Sequence, residues 1–123
     1  MKRVVLIFFC SLLFVGCGSK EMDYKSITAK EVFEQIENSD YFILDVRSSL
    51  EFRKGHLENA INVDVEELNE NILDLIPNKE RKIIVYCQSG NRSKIASERL
   101  ISYGYTNVYN MLGGIVAYEE VSK

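Results

Sequence analysis

The sequence has few of the residues that form cross-links or metal sites: three of its 123 residues are cysteines and one is a histidine. Cys10 and Cys17 lie within or beside an apolar N-terminal segment, so Cys87 is the one cysteine left for a folded domain. One thiol cannot build a disulfide framework, and His56 alone cannot complete a cysteine-rich metal site with it. The sequence therefore excludes both kinds of scaffold, and we expect neither a metal nor a cofactor.

Hydrophobic runs long enough to cross a bilayer are also lacking. The segment Val4–Val15 is almost entirely apolar but has only twelve residues, whereas a membrane-spanning helix needs about 20. Lys2 and Arg3 precede this segment and small residues follow it, which is typical of a secretory signal peptide. We therefore expect residues 1–16 to be a signal peptide and the protein to be exported.

The residues Leu13-Phe14-Val15-Gly16-Cys17 resemble a bacterial lipoprotein box, in which the cysteine is lipidated and becomes the first residue after cleavage. This resemblance implies a lipid on Cys17 and a polar tether at residues 17–25. The alternative is ordinary cleavage nearby, with Cys17 left as a free thiol. Lipidation is favoured because an unpaired cysteine in an exported protein needs an explanation. We expect a membrane-anchored lipoprotein facing the extracytoplasmic side, in the periplasm or at the cell surface.

Basic residues do not predominate, since the chain has 15 Lys and Arg residues against 18 Asp and Glu residues. Removal of Lys2 and Arg3 with the signal peptide leaves 13 basic residues and a net charge of −5. Nucleic-acid-binding surfaces require an excess of positive charge. We therefore expect no nucleic-acid partner, and the sequence identifies no protein partner.

Strand and helix patterns alternate along residues 26–123, which we expect to form one domain. This alternation predicts an α/β domain with a central, mainly parallel sheet flanked by helices. Continuous apolar runs such as Ile83–Tyr86 are typical of strands buried on both faces of such a sheet. We predict strands at 41–46, 60–63, 83–86 and 107–109, and helices at 28–38, 48–54, 65–76, 94–103 and after the Gly113-Gly114 pair.

The helices carry recognisable start and packing signals. Thr28 with Glu31, and Ser48 with Glu51, fit the capping box that begins a helix. In the helix at 94–103, the residues expected to face the core are Ile95, Leu100 and Ile101.

The run Ile83–Tyr86 ends in Cys87, and small polar residues then lead into a helical pattern. A strand, a tight turn at Gly90 and a helix N-terminus place several backbone N–H groups around the sulfur, with the positive end of the helix dipole behind them. Such surroundings favour thiolate over thiol and also bind an anion. Cys87 is therefore the expected nucleophile. The expected anion-binding loop comprises Gln88, Ser89, Gly90, Asn91, Arg92 and Ser93.

Several separated motifs together resemble a single rhodanese domain. They are Asp45-Val46-Arg47, Glu51-Phe52, Gly55-His56-Leu57 with Ala60-Ile61-Asn62, Tyr86 to Ser93, Gly104-Tyr105 with Val108, and Met111 to Ile115. The resemblance covers residues 26–121. It implies a rhodanese-like domain with a central parallel sheet flanked by helices, in which the catalytic cysteine, Cys87, opens the active-site loop.

The resemblance implies a sulfurtransferase of the thiosulfate:cyanide or thiosulfate:thiol type, which carries sulfane sulfur as a persulfide on Cys87. The donor would be a small anion such as thiosulfate or a polysulfide, and the acceptor a thiol or cyanide. Loop amides from Ser89 to Ser93 would stabilise the thiolate and the persulfide. Arg92 would add a fixed positive charge. Gln88 would line the entrance, where many such sulfurtransferases have a basic residue, and this weakens the case for thiosulfate.

Asp45, Arg47 and Glu51 are expected to support the site rather than to react. Asp45 and Arg47 end a predicted strand, and Arg47 and Glu51 can pair across the start of the next helix. In the family, these residues resemble scaffold contacts that shape the active-site side. His56 is disfavoured as a general base. The Gly113-Gly114 pair is expected to allow a tight approach of the last helix to the sheet, rather than to bind phosphate.

Two other functions stay open. Related phosphatases and arsenate reductases resemble a pattern with five residues between cysteine and arginine, whereas four residues separate Cys87 from Arg92. The wider loop admits a tetrahedral oxyanion, and the shorter one suits a sulfur atom. No aspartate near the loop in sequence supplies the acid that phosphate ester cleavage needs. The other alternative is a non-catalytic binding or redox-sensing module, against which the intact nucleophile counts.

Overall fold

The computed structural model describes residues 23–37 and 40–123. The signal peptide predicted at residues 1–16 and the lipidation site predicted at Cys17 lie outside the described residues. No helix in the described part of the chain is long and apolar enough to cross a membrane. The strands are β1 (Lys25–Thr28), β2 (Phe42–Asp45), β3 (Ile61–Asn62), β4 (Ile83–Tyr86) and β5 (Val108–Leu112). The helices are α1 (Ala29–Gln35), α2 (Ser49–Lys54), α3 (Ile72–Leu75), α4 (Asn91–Ser102) and α5 (Gly114–Val121).

These strands form a five-stranded sheet in the order β1-β5-β4-β2-β3, and every neighbouring pair is parallel. The central strand, β4, is buried at all of its residues because helices cover both faces of the sheet. Its β-branched and aromatic side chains suit that environment. The predicted α/β architecture, with a parallel sheet flanked by helices, is confirmed.

The two faces of the sheet have separate cores. Helices α3 and α4 contribute to one core, and α1 and α5 contribute to the other. Ile83 and Val85 of β4 point into the first core, whereas Ile84 and Tyr86 point into the second, as the pleat of a strand requires. Cys87 continues this alternation and belongs to the core on the α4 side.

Both predicted capping boxes are confirmed. At α1, Thr28 Oγ1 accepts from the Glu31 N–H at 3.1 Å, and the Glu31 carboxylate accepts from the Thr28 N–H at 2.8 Å. At α2, Ser48 and Glu51 form the same reciprocal pair, at 3.3 and 3.0 Å. Gly55 follows α2 directly, also as predicted.

The sequence analysis does not predict β1. Of its four residues only Ile27 is buried, and the strand lies at the edge of the sheet beside β5. One buried side chain leaves no alternation to detect. The ordered sheet therefore begins at Lys25, inside the predicted tether. Helix α1 ends at Gln35, short of the predicted end at 38, a position outside the described residues.

The helix predicted at 65–76 is wrong over most of its length, because only α3 is helical within that range. The side chains of Asp64 and Asn69 accept hydrogen bonds from the backbone N–H groups of Glu66 and Asn71, at 3.0 and 2.8 Å. Such local turns compete with helical hydrogen bonding. The apolar spacing that suggested a helix therefore comes largely from packed turns.

Helix α4 begins earlier than predicted, at Asn91 rather than at position 94. Ile95, which the sequence analysis assigned to the core, is 48% exposed. Leu100 is fully buried and the partly buried Ile101 packs against the core, both as predicted. Ala96 is also fully buried, although a pattern of large apolar side chains does not single out so small a residue.

A buried ion pair lies where β2 ends. Arg47 Nε and Nη2 donate to Asp45 Oδ1 and Oδ2, at 3.0 and 2.7 Å. The hydroxyl of Tyr86 donates to Asp45 Oδ2 at 2.6 Å and accepts from the Leu57 N–H at 3.1 Å. The predicted pairing of Arg47 with Glu51 is therefore wrong, because Asp45 lies only two residues away and occupies the guanidinium group.

Asp45→Asn is expected to lower the free energy of unfolding by about 3–5 kcal/mol, because it leaves the buried Arg47 charge without its counter-ion. Asp40→Asn is the matched control. The Asp40 side chain is 95% exposed and lies 3.3 Å from Arg81, and such a surface pair contributes at most about 1 kcal/mol. Urea unfolding at neutral pH measures both variants. Equal losses would contradict a stabilising role for the buried pair.

Candidate active site

Cys87 directly follows β4, at the carboxyl end of the central strand. Parallel α/β sheets bind ligands beyond the carboxyl ends of their strands. Residues 88–90 bend, and α4 begins at Asn91. Gly90 has φ +116°, in the region that favours glycine, and this conformation turns the chain back toward the cysteine.

The sulfur of Cys87 lies inside this bend, and the residue is only 1% exposed. The Gly90 N–H donates to Sγ at 3.1 Å. The Ser93 hydroxyl oxygen lies 3.4 Å from Sγ, and this hydroxyl donates to the Gly90 carbonyl at 3.0 Å. In this arrangement the thiol donates to Ser93 Oγ. A hydroxyl group rotates freely and can donate as well as accept. When the sulfur is a thiolate, the Ser93 hydroxyl can therefore donate a hydrogen bond to it.

The pKa of the Cys87 thiol reflects opposing effects. Burial raises the pKa, because a charged sulfur loses its hydration. Hydrogen bonds from Ser93 and from the backbone N–H groups of Gly90 and Ser89 lower it. Together they outweigh burial, so the pKa lies below the ordinary value of a thiol. The site therefore stabilises negative charge on sulfur, as a nucleophilic cysteine requires.

Glu51 and Arg92 form a two-point ion pair beside the loop. Arg92 Nη1 and Nη2 donate to Glu51 Oε2 and Oε1, each at 2.8 Å. Glu51 Oε2 also accepts from the backbone N–H and the hydroxyl of Ser48, at 3.0 and 2.9 Å. The partner of Glu51 is thus Arg92 rather than Arg47. The positive charge expected from Arg92 is balanced by a carboxylate, so it is not a free charge at the sulfur.

The remaining predicted loop residues lie at the surface. Gln88, Ser89 and Asn91 are exposed, so their side chains can border an entrance to the sulfur. His56 Nδ1 lies 2.9 Å from the Phe52 carbonyl oxygen, and its ring stacks on that of Phe52 at 3.7 Å. This arrangement gives His56 a packing role at the end of α2. In the described ranges, acidic, histidine and cysteine side chains do not cluster in threes as a metal site would require.

The Gly113-Gly114 pair brings the last helix against the active-site loop. A Cβ atom at Gly114 would lie 2.5 Å from the Cys87 carbonyl oxygen and 2.4 Å from that of Gln88. The expected tight approach is confirmed, although the helix meets the loop after β4 rather than the strand itself.

Sequence reasoning missed that the first turn of α5 bonds to this loop, and only the paired glycines signalled it. It also missed Tyr86 as the partner of Asp45, although both residues end apolar strands.

Acid is expected to weaken the pair between Glu51 and Arg92. Hydrogen bonds from Arg92, opposed by burial, lower the pKa of Glu51 from 4.5 to about 2. The stabilisation from this pair is therefore fully present above pH 4.5 and is lost as the pH falls toward 2. Because both side chains are about a third exposed, the loss should be about 1–2 kcal/mol. Glu51→Gln should remove this pH dependence.

Chemical denaturation at a series of acidic pH values measures the effect as the slope of unfolding free energy against pH. Glu31→Gln is the matched control, because Glu31 caps α1 through Thr28 as Glu51 caps α2 through Ser48. We expect the Glu51 variant to give the flatter curve, and the Glu31 variant to keep most of the slope of the wild type. A curve for Glu51→Gln that runs parallel to that of the wild type would contradict the role given to Arg92.

Comparison with known proteins assigns this architecture to a family. Residues 28–121 match the family model for the rhodanese-like domain. Curated relatives include tRNA uridine(34) hydroxylases from Hamiltonella defensa, 36% identical over 101 residues, and from Photorhabdus laumondii, 34% identical over 104 residues. These matches cover 79% and 81% of this chain but only 28% and 29% of the relatives. The chain thus spans less than a third of the length of these hydroxylases.

Three of the matching solved structures are covered over most of their own length. A rhodanese-related protein from Thermoplasma volcanium is 35% identical with a TM-score of 0.66, covering 79% of this chain and 92% of that one. A rhodanese-like domain protein from Staphylococcus aureus is 30% identical with a TM-score of 0.66, and the match covers 77% of this chain and 91% of that one. A rhodanese from E. coli, solved with anions, is 35% identical with a TM-score of 0.58, and the match covers 63% of this chain and 89% of that one. The chain therefore belongs to the rhodanese-like family.

Proposed function

We propose that this protein is a sulfurtransferase that carries sulfane sulfur as a persulfide on Cys87. The observation that carries the proposal is the position of Cys87 Sγ inside the loop: the Gly90 N–H donates to it at 3.1 Å, and the oxygen of the Ser93 hydroxyl, which can rotate to donate to a thiolate, lies 3.4 Å away. These donors favour a thiolate, and a thiolate is a strong nucleophile toward divalent sulfur. A persulfide on the same residue is also an anion and benefits from the same donors.

The reaction requires two displacements at sulfur. The Cys87 thiolate attacks the outer sulfur of the donor, a new S–S bond forms, and the donor's S–S bond breaks. With thiosulfate, sulfite leaves with the electron pair. An acceptor thiolate then attacks the outer sulfur of the persulfide, and Cys87 leaves as a thiolate, which the loop amides stabilise. With cyanide as the acceptor, the product is thiocyanate. The cycle balances without any further oxidant or reductant.

The charges around the loop bear on the choice of donor. Arg92 is bound at two points by Glu51, and Gln88 is neutral. Backbone N–H groups, rather than a free cation, therefore supply most of the attraction for an anion. This arrangement favours polysulfides or persulfides over the dianion thiosulfate. The E. coli rhodanese solved with anions supports the binding of small anions by a domain of this family.

The geometry of the loop does not favour a phosphatase or an arsenate reductase. Four residues lie between Cys87 and Arg92, and Arg92 points to Glu51, so the loop lacks the width and the free guanidinium expected for a tetrahedral oxyanion. The hydroxylases match this chain through less than a third of their length, and the proposal therefore rests on the loop rather than on their whole activity. A binding or redox-sensing module is the second candidate, which the lowered pKa of the buried thiol permits.

Treatment of the full-length protein with polysulfide or thiosulfate is expected to add one sulfur atom to Cys87. Mass spectrometry of peptides distinguishes this cysteine from Cys10 and Cys17, and a reductant should remove the added mass. Transfer to cyanide or to a thiol should then fall by at least about 10³-fold in Cys87→Ser, because the nucleophile is lost. A wild-type protein that never gains the sulfur, or a fully active Cys87→Ser variant, would support the sensing or binding module instead.

We further propose that the protein is exported and anchored by a lipid on Cys17, so that its donor and acceptor are found outside the cytoplasm. The support comes from the basic, apolar and small-residue segments at positions 2–19 and from the lipoprotein-box pattern that ends at Cys17. Sulfur carriage on a membrane-anchored domain would serve small anions and thiols of that compartment. The proposal includes no nucleic-acid partner.

Cys17→Ala is expected to move the protein from the membrane fraction to the soluble fraction, because the acylated residue is removed. Cys10→Ala is the matched control, since that cysteine lies within the apolar segment and outside the lipoprotein-box pattern. Cell fractionation followed by immunoblotting measures both. Membrane association that survives the Cys17 substitution would contradict the lipid anchor and would leave the chemistry at Cys87 unaffected.

A further inference from the structure

The first turn of α5 bonds to the carbonyl groups that follow β4. The Ile115 N–H donates to the Cys87 carbonyl at 2.9 Å, and the Val116 N–H donates to the Gln88 carbonyl at 3.3 Å. The first N–H groups of any helix lack partners within the helix. Here the loop satisfies two of them, so the start of α5 and the active-site loop form one hydrogen-bonded unit.

Gly114 makes this contact geometrically possible. Its φ is +61°, and a Cβ there would lie about 2.5 Å from the backbone of residues 87 and 88. Real Cβ atoms do not approach backbone atoms so closely, so any side chain at this position would push the loop away from α5. The space for the hydrogen bond from Val116 therefore depends on a glycine at position 114.

The active-site loop links α5 to the sulfur. The Gln88 carbonyl accepts from the Val116 N–H, and two residues further along the chain the Gly90 N–H donates to Cys87 Sγ at 3.1 Å. Gly90 also lies against the start of α5, since a Cβ there would be 3.7 Å from the backbone nitrogen of Gly113. Because peptide groups are planar, few backbone dihedral angles separate the Gln88 carbonyl from the Gly90 N–H. Fixing that carbonyl therefore restricts the direction in which the Gly90 N–H points.

We propose that the Val116 N–H and the bare Cα of Gly114 are positioning groups, which hold the loop at Gln88 so that the Gly90 N–H points at Cys87 Sγ. They act through the loop backbone and do not touch a substrate. Their effect on the persulfide rests on the proposed function, whereas their effect on the thiol does not. No side chain of the helix takes part, so a comparison of side-chain chemistry alone would overlook them.

Val116→Pro tests the proposal, because proline removes the one N–H concerned. Proline is tolerated in the first turn of a helix, where N–H groups have no helical partner. Val116→Ala keeps the N–H and is the matched control for loss of the half-exposed side chain. The measurement is the pH dependence of Cys87 alkylation by iodoacetamide in the full-length protein, resolved by peptide mass spectrometry, with circular dichroism to verify folding.

The alkylation midpoint of Val116→Pro is expected to lie about 0.5–1 pH unit above that of Val116→Ala, which corresponds to a three- to tenfold loss of thiolate near the midpoint. Gly114→Ala should shift the midpoint in the same direction and provides the test if the proline variant does not fold. Its matched control is Gly113→Ala, where φ is +76° but the Cβ would meet Ala117 instead of the loop. Merely structural damage would lower stability without moving the midpoint.

Equal midpoints in folded Val116→Pro and Val116→Ala, or in Gly114→Ala and Gly113→Ala, would overturn the proposal. The outcome is independent of sulfur transfer, because alkylation needs only the thiolate. A shifted midpoint in a protein that never forms a persulfide would support the positioning role and reject the sulfurtransferase. A persulfide that forms while the midpoints stay unshifted would support the sulfurtransferase and reject the positioning role.

Discussion

Hydrogen bonding of the backbone just beyond β4 is the constraint on which the site depends. The peptide groups between Cys87 and Gly90 lie after the sheet and before α4. Their N–H and C=O groups therefore need hydrogen-bond partners from outside regular secondary structure. The first turn of α5 donates to their carbonyl groups, and the sulfur accepts from the amide of Gly90. An unsatisfied buried peptide group would cost about 1–3 kcal/mol. The shape of the loop and the polarity around the sulfur thus have one physical cause.

Side-chain charges contribute to the site mainly by neutralising one another. Arg47 is paired with Asp45 inside the fold, and Arg92 is paired with Glu51 at its edge. Neutral groups therefore act on the sulfur: the Ser93 hydroxyl and the peptide dipoles of the loop, which the fold holds in place. Because these dipoles are already aimed at the reacting atom, little reorganisation is needed when charge develops there.

The parts of the fold that follow from local chemistry were predictable from the sequence. The apolar run of β4 and the paired hydroxyl and carboxylate residues at the starts of α1 and α2 each carry their own signal. The edge strand β1 was not predictable, because one buried Ile27 makes no pattern. Partner choice was also beyond the sequence: Arg47 pairs with Asp45, two residues away, and Glu51 pairs with Arg92, which only the folded loop brings near. Cys87 was recognisable as the candidate nucleophile, but the contact of α5 with its loop was not.

The direction of the parallel sheet determines where the chain enters the domain. Because all strands run the same way, β1 begins on the side opposite to the carboxyl ends where Cys87 lies. With a lipid on Cys17, eight residues at most about 28 Å long would connect the bilayer to Lys25. The proposed anchor would therefore attach on the side of the sheet at which the strands begin. The sulfur lies at the opposite end of the strands, so reactants of the aqueous compartment would approach it from the side remote from the attachment point.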